Sequence, residues 1–323
     1  MRIGFVKCHG SGNDFPLVDA RAIDLPDADW SQVARALADR CGPVGGDGLL
    51  LLTPGDQDHA FGYRMFNPDG SEAETCLNGL RCAARLGFEL LGIERGAVRL
   101  NTSTVAVERD AELAPGVAAI RETAGPADLD ARRWLHAEGA RELVDRPIAM
   151  LASGRAFTAV AIPNPHLVTF VDTIDEADLV AIGRRCEAAP DWLPARANVS
   201  FVERRDSTTL FVRTFERGAG LTESCGSAMA SSAFVACLTG RTDFDRDLTV
   251  LNAGGLVRAR AASDGMVSLS GNATFEWEGS AEIDLARGLA GDVEVTRHHN
   301  TEIAAWARLI DAIAIPAPVR ARG

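Results

Sequence analysis

Two cysteines stand out by the residues on their C-terminal side. Cys76 in EAETCLNGLRC and Cys225 in GLTESCGSAMA each precede a run of small and apolar residues with helical spacing. A helix start leaves its first N–H groups without partners and carries about half a positive charge, so a cysteine placed there favours the thiolate. Such positions lower a thiol pKa from ~8.5 to roughly 3.5–7.5, and the same N–H groups hold a carboxylate. A thiolate beside a bound carboxylate can take the proton from that acid's α-carbon. One such site makes a base. Two of them, base and acid, invert the carbon without a cofactor.

The remaining residues narrow the alternatives. Seven cysteines, an odd number with no C-x-x-C pair, read as reduced thiols. Cys41, Cys82, Cys186 and Cys237 fall inside periodic segments and read as small core hydrophobes. Cys76 and Cys82 lack a matching His or Cys pair, so no metal is expected. Lys7 is the only lysine among 33 basic residues and would have to form any pyridoxal-phosphate imine. A cysteine hydrolase using Cys225 with His166 has no local nucleophile signature and leaves Cys76 idle. A non-catalytic binding protein leaves both thiols idle. GSGNDF lacks the third glycine of a dinucleotide fingerprint.

Elements that would position these residues can be read from length and patterning. A chain of 323 residues exceeds one ordinary domain, and 46% hydrophobic against 24% charged residues is a globular balance. A net charge of −12 argues against nucleic-acid or anionic-membrane partners. No apolar run reaches the ~20 residues of a membrane span, and MRIGFVKCHG lacks a signal peptide's apolar core. A soluble, cytoplasmic protein is expected. Strand-like stretches RIGFVKC, GLLLLT, GYRMFN and AVRLNTSTVAVE fill the first hundred residues, with helices expected over 30–41 and 78–92, the latter closed by Gly92. A second series, FTAVAIPN, HLVTFV, ANVSFVE and TLFVRTFE, leads to a helix over 226–240 and the strands LTVLNAG, LVRARA and MVSLSG.

Both halves run strands, then Glu-Thr-Cys (74–76) or Glu-Ser-Cys (223–225), then a helix poor in charge. The shared order indicates an internal duplication, with the two helices wrapped by sheet. Two domains are expected, 1–122 with about 273–290 and 123–272, plus a tail over 291–323. In the tail, TEIAAWARLIDAIAI spaces Ile303, Trp306, Ala307, Ile310 and Ile313 along one helical face.

At this point the chain resembles the diaminopimelate epimerase family. The residues carrying the resemblance are FVKCHGSGNDFPLVD (5–19), GPVGGDGLL (42–50), FNPDGSEAETCLNGLRC (66–82), PNPHLVTFVD (163–172), ARANVSFV (195–202), FERGAGLTESCGSAMA (215–230) and VSLSGNATFEWEGSAEI (267–283). The resemblance implies an α/β (α+β) fold of two pseudo-symmetric domains, each a mostly antiparallel sheet wrapped around a central helix, with the active site in the interdomain cleft. It also implies a cofactor-free isomerase, commonly a homodimer, that interconverts LL- and meso-diaminopimelate on the route to lysine and peptidoglycan. Carried over by motif, Cys76 and Cys225 are the acid–base pair, and His166 with Glu216 tunes thiol protonation. Asn13, Asn67, Asn164 and Asn198 line the substrate, and Glu216 and Arg217 complete its recognition. The backbone at Leu77, Asn78, Gly226 and Ser227 holds the α-carboxylate. Four positions depart from the family's pattern: Leu77, Pro163 and Ala228 stand where glycine is expected, and Cys8 where methionine is. They bear on the substrate, so a racemase of another amino acid such as histidine is the alternative.

Overall fold

Alternating apolar residues open the chain as a hairpin of β1 (Arg2–Gly10) and β2 (Asn13–Asp19). Ser11 and Gly12 turn between them in the left-handed region, at φ 52° and 81°. The computed structural model describes residues 1–73, 76–101, 103–137 and 141–313. It divides into two compact units, Met1–Glu122 with the segment from Ser270, and Thr123–Leu269.

In the first unit, α1 (Asp27–Ala38) connects β2 to β3 (Leu49–Thr53), which lies parallel to it. The strand β4 (Phe61–Phe66) runs antiparallel to β3. Then comes α2 (Leu77–Leu91), and after it β5 (Arg95–Arg99) parallel to β4. Two further antiparallel strands come next, β6 (Thr104–Ala114) on β5 and β7 (Val117–Ala124) on β6.

The second unit repeats that order. A two-residue β8 (Arg146–Pro147) pairs with β9 (Ala156–Ala161), which forms a hairpin with β10 (Pro165–Val171). Next, α3 (Glu176–Glu187) leads to β11 (Asn198–Arg204), parallel to β10, and β12 (Thr209–Glu216) is antiparallel to β11. A short β13 (Gly220–Thr222) folds back on β12 before α4 (Gly226–Leu238). Finally β14 (Leu248–Asn252) lies parallel to β12, and β15 (Gly255–Ala261) antiparallel to β14. Hairpin, helix, parallel strand, antiparallel strand, cysteine-led helix, parallel strand, antiparallel strand: the two units share this sequence of pairings. Of the paired tripeptides, Glu74 and Thr75 lie outside the described residues.

After β16 (Val267–Asn272), β17 (Thr274–Asp284) pairs with β1 and β18 (Leu289–His298) with β17, before α5 (Asn300–Ala312). The stretch 291–323 thus contributes a strand and a helix to the first unit as far as residue 313; the rest lies outside the described residues. The phase of α5 differs from the expected one. Ile303 and Ala307 are exposed, Ala305 is buried, and Glu302 reaches Arg85 of α2 at 2.8 Å. The Trp306 ring sits 5.3 Å from the His9 ring. A charged anchor, not the isoleucine row, sets the rotation of this helix.

The helices divide into two kinds. The first, α1, is amphipathic and packs Trp30, Val33 and Leu37 against Ile3, Phe5, Leu49 and Leu51. Likewise α3 buries Leu179, Ile182 and Cys186 with Phe157, Leu167 and Phe201. By contrast α2 is buried from Leu77 through Phe88, and α4 is buried along nearly its whole length. Close approach makes glycine necessary in both kinds: a Cβ at Gly87 of α2 falls 2.7 Å from the Phe61 ring, and one at Gly183 of α3 falls 2.2 Å from Phe215.

Three local expectations need correction. The first helix begins at Asp27, not Trp30, because Pro26 precedes it and Asp27 and Asp29 complement its dipole. AVRLNTSTVAVE is two strands, β5 and β6, closed by the Leu100 N–H on the Ser103 carbonyl at 2.8 Å. Cys41 is exposed beyond the end of α1, where its N–H bonds Asp39. The helix α3 was not anticipated, although Asp175 caps it through the Ala177 and Asp178 N–H groups. No helix among the described residues is long and apolar enough to cross a membrane.

Candidate active site

Cys76 is the N-cap of α2, at φ −137° and ψ 103°. Its Sγ accepts from the Gly79 N–H at 3.4 Å, and its carbonyl accepts from the Leu80 N–H at 2.9 Å and the Tyr63 hydroxyl at 3.1 Å. Gly79 has no room for a side chain: a Cβ falls 2.7 Å from Tyr63 Oη and 2.8 Å from Leu50. The GSGN turn passes equally close to the helix start, so that a Cβ at Gly10 falls 2.5 Å from the Asn78 carbonyl oxygen. These close approaches are what the motif's glycines serve.

Asn78 and Asn13 come together here, the Asn78 amide donating to Asn13 Oδ1 at 3.3 Å and Asn13 donating in turn to Asp47. Behind them Arg81, wholly buried, donates to Asn78 Oδ1 at 2.7 Å and to Glu122 at 2.8 Å. Burial pushes the Glu122 carboxyl up to about 7, even with the Arg81 charge pulling the other way. Burial also pushes Asp14 up, but hydrogen bonds from Arg40 and Lys7 outweigh it and hold that carboxyl below its ordinary range. Lys7 is buried, its Nζ held by Asp14 and the Gly45 carbonyl. The one lysine of the chain is thereby an ion-pair cation, unsuited to imine formation. Asn67 is not drawn into this cluster. It closes its own turn, its amide on Ser71 Oγ at 3.0 Å and its carbonyl accepting from the Gly70 N–H at 2.9 Å.

Cys225 is the N-cap of α4, at φ −133° and ψ 109°. Its carbonyl accepts from the Met229 N–H at 3.0 Å, and its Sγ lies 3.5 Å from Ser227 Oγ. Glu216, the last residue of β12, lies near enough for its charge to act on the thiol, and it accepts from the Thr222 hydroxyl. Burial, then the Glu216 charge, raise the Cys225 thiol well above its ordinary pKa, with Ser227 opposing them. Burial raises Glu216 as well, against the bonds from Thr222 and Cys225.

Parallel pairing of β10 and β11 sets His166 opposite Asn198. His166 Nε2 is 3.1 Å from Ser227 Oγ, 3.2 Å from Asn164 Oδ1 and 3.5 Å from Asn198 Nδ2. Burial first, and the Arg217 charge second, lower the His166 pKa to about 3, so its ring is neutral. It orders the first turn of α4 as a neutral hydrogen-bonding group. Asn198 Oδ1 accepts from the Arg217 N–H at 2.9 Å, and the Arg217 guanidinium donates to the Ala195 carbonyl at 3.3 Å. Asn164, His166, Asn198, Arg217 and Ser227 are therefore one connected group, and Glu216 with Cys225 is its neighbour.

The positions that depart from the family's pattern are mostly interior. Leu77 is the first residue of α2 and 4% exposed, and Ala228 is wholly buried in α4. Cys8 is buried on β1, its thiol donating to the Phe15 carbonyl at 3.5 Å, and burial drives the thiol well above the ordinary range. Other residues were not anticipated: Tyr63 at the Cys76 carbonyl, Arg81 behind Asn78, Thr222 at Glu216, and Asn252, whose amide donates to Ser224 Oγ at 2.8 Å. Arg81 left a trace in the sequence, as a charge in a helix mostly of small and apolar residues.

Each half thus presents a thiol at the start of a buried helix whose first N–H groups suit a carboxylate. The family model for diaminopimelate epimerase matches residues 5–110 and 158–276, spanning both helix starts. The chain belongs to the diaminopimelate epimerase family. Its members include the diaminopimelate epimerase of Clostridium acetobutylicum, 37% identical over 290 residues that cover 88% of this chain and 87% of the relative. That of Listeria innocua is 34% identical over 324 residues, covering 96% and 97%. An isomerase of the epimerase type is what this membership makes the protein. Among solved structures, a predicted epimerase from Pseudomonas aeruginosa superposes with a TM-score of 0.61 at 19% identity, covering 85% of this chain and 98% of that one. A hydroxyproline epimerase from Agrobacterium vitis superposes at 0.57 and 14% identity, covering 89% and 94%. At such identities these two share the fold.

Proposed function

We propose that this family member epimerises diaminopimelate between its LL and meso forms, without pyridoxal phosphate, through a two-thiol acid–base mechanism. The observation that carries the reading is the matched pair of cysteine caps: two helices in two units of the same topology, each led by a cysteine with nearly the same backbone angles. One thiolate removes the α-proton and the other thiol delivers a proton to the opposite face, each reversing its role in the other direction. The mechanism requires both thiols to reach one α-carbon.

The other residues take roles their surroundings support. N–H groups at Leu77, Asn78, Gly226 and Ser227 are first-turn donors for the α-carboxylate, which also carries charge as the carbanion forms. Glu216, whose charge acts on the Cys225 thiol, receives the Cys225 proton. His166, neutral, orients Ser227 at the helix start. Asn13, Asn67, Asn164, Asn198 and Arg217 supply polar groups for the distal amino-acid end of the substrate. Burial of Leu77 and Ala228 supports retention of the backbone donors despite the departures there. The test is epimerisation of LL-diaminopimelate, monitored by chiral separation beside L-histidine and other L-amino acids. Turnover of diaminopimelate alone supports the reading; inversion of histidine but not diaminopimelate overturns it.

A further inference from the structure

We propose that Thr222 is a positioning residue for the Glu216–Cys225 pair: its hydroxyl fixes the Glu216 carboxyl as a hydrogen-bond acceptor beside the thiol. The inference deepens the two-thiol mechanism and rests on that reading for its kinetic arm. Three observations support it. The Thr222 hydroxyl donates to Glu216 Oε1. The strand β13 folds back on β12 so that Thr222 lies opposite Thr214 and Gly220 opposite Glu216, which brings the hydroxyl to the end of β12. Arg213, 3% exposed, then pins the Thr222 backbone, with its guanidinium on the Thr222 carbonyl at 3.0 Å and on Glu176 of α3 at 2.7 Å. The Thr222 backbone is therefore held from behind by the buried Arg213 and its ion pair with Glu176.

The chemistry of the bond gives it a direction. A hydroxyl that donates to a carboxylate favours the ionised form. Here it works against burial, which favours the neutral acid at Glu216. Other groups around Glu216 are the Cys225 thiol from α4 and the neighbouring Arg217, whose guanidinium is directed to the Ala195 carbonyl. On β10, His166 is buried and held at Ser227, while Arg213 of β12 is engaged by Thr222 and Glu176. An ionised Glu216 accepts the Cys225 proton; a neutral one cannot. Thr222 thus extends the pH range over which the Cys225 proton has somewhere to go.

Thr222→Val removes the donor and keeps the shape. We expect the acid limb of its kcat/KM profile to move up by about one pH unit, the value of one hydrogen bond to a charged group, with about tenfold lower kcat/KM below the limb. The plateau above the limb stays within about twofold, and Thr222→Ser restores the wild-type profile. A profile that coincides with wild type, or one lowered equally at every pH, overturns the assignment. Carbon-13 NMR titration of the Glu216 carboxyl, assigned with Glu216→Gln, needs no substrate. Its midpoint should rise by about one pH unit in Thr222→Val, and an unmoved midpoint overturns the inference even in an enzyme inactive on diaminopimelate. Inactivity of the wild type with a shifted midpoint overturns the substrate reading and leaves the role of Thr222 standing.

Discussion

The starts of α2 and α4 are alike in backbone and unlike in surroundings. Both place a cysteine at the cap, with φ −137° and −133°, and both bury the helix beyond it. At Cys76 the sulfur accepts a backbone N–H, and the helix start is backed by Asn78, Arg81 and Glu122. At Cys225 the sulfur meets the Ser227 hydroxyl and feels the Glu216 charge, and the helix start is ordered by a neutral histidine. The two units therefore share the geometry of the thiol and differ in the groups it meets. The proposed mechanism needs one base and one acid at a time, and the two thiols meet different groups.

The largest effect should come from the thiols themselves. Cys76→Ser and Cys225→Ser should each lower epimerisation by about 10³-fold or more, the upper range of acid–base catalysis, measured by chiral separation of products. Equal losses at both positions fit paired roles; a loss at one alone breaks the comparison. Next, Gly79→Ala and Gly10→Ala insert a methyl where Tyr63 or the Asn78 backbone stands. Each should destabilise the first unit by about 1–3 kcal/mol in denaturant unfolding, as overpacking does. The matching change at the other helix start, Gly226→Ala, tests whether the second unit is equally crowded.

The buried ion pair behind Asn78 gives a pH signature of its own. Glu122 has its carboxyl raised from 4.5 to about 7 by burial. The native state then holds a proton that the unfolded chain releases, so stability falls as pH rises through that window. Glu122→Gln should flatten the slope of unfolding free energy over that pH range, while costing stability through an unpaired Arg81. An unchanged slope would assign the pH dependence elsewhere. The smallest effect is expected of Tyr63→Phe, which removes one bond to the Cys76 carbonyl: about 0.5–1.5 kcal/mol in thermal unfolding, with turnover little altered.

What could be read in the chain was local. Cys76 and Cys225 announce themselves by the helices they start, and Gly92 ends α2 in the left-handed conformation at φ 67°. The Arg81–Glu122 pair spans 41 residues and Asn252–Ser224 spans 28, and no spacing rule connects such partners before the sheet brings them together. Asn67 is bonded within its own turn to Ser71, a local contact that its Asn-Pro-Asp-Gly sequence already carries. The helix α3 was legible in its Asp175 cap and its apolar spacing, but short periodic segments between strands are easily passed over. Rotation of α5 was not legible, because a salt bridge from Glu302 to Arg85 overrides its isoleucine stripe.

Two thiols acting on one α-carbon are the centre of the proposed mechanism, and the fate of the α-hydrogen tests them directly. LL-diaminopimelate is incubated with the enzyme in D₂O, and the first turnovers are tracked by mass spectrometry of both stereoisomers. Two thiols predict that the meso product carries solvent deuterium at the inverted carbon from the first turnover, while remaining LL substrate stays unlabelled. A meso product that retains the protium of the substrate would mean one group both removes and returns it, and would contradict the paired-cysteine mechanism.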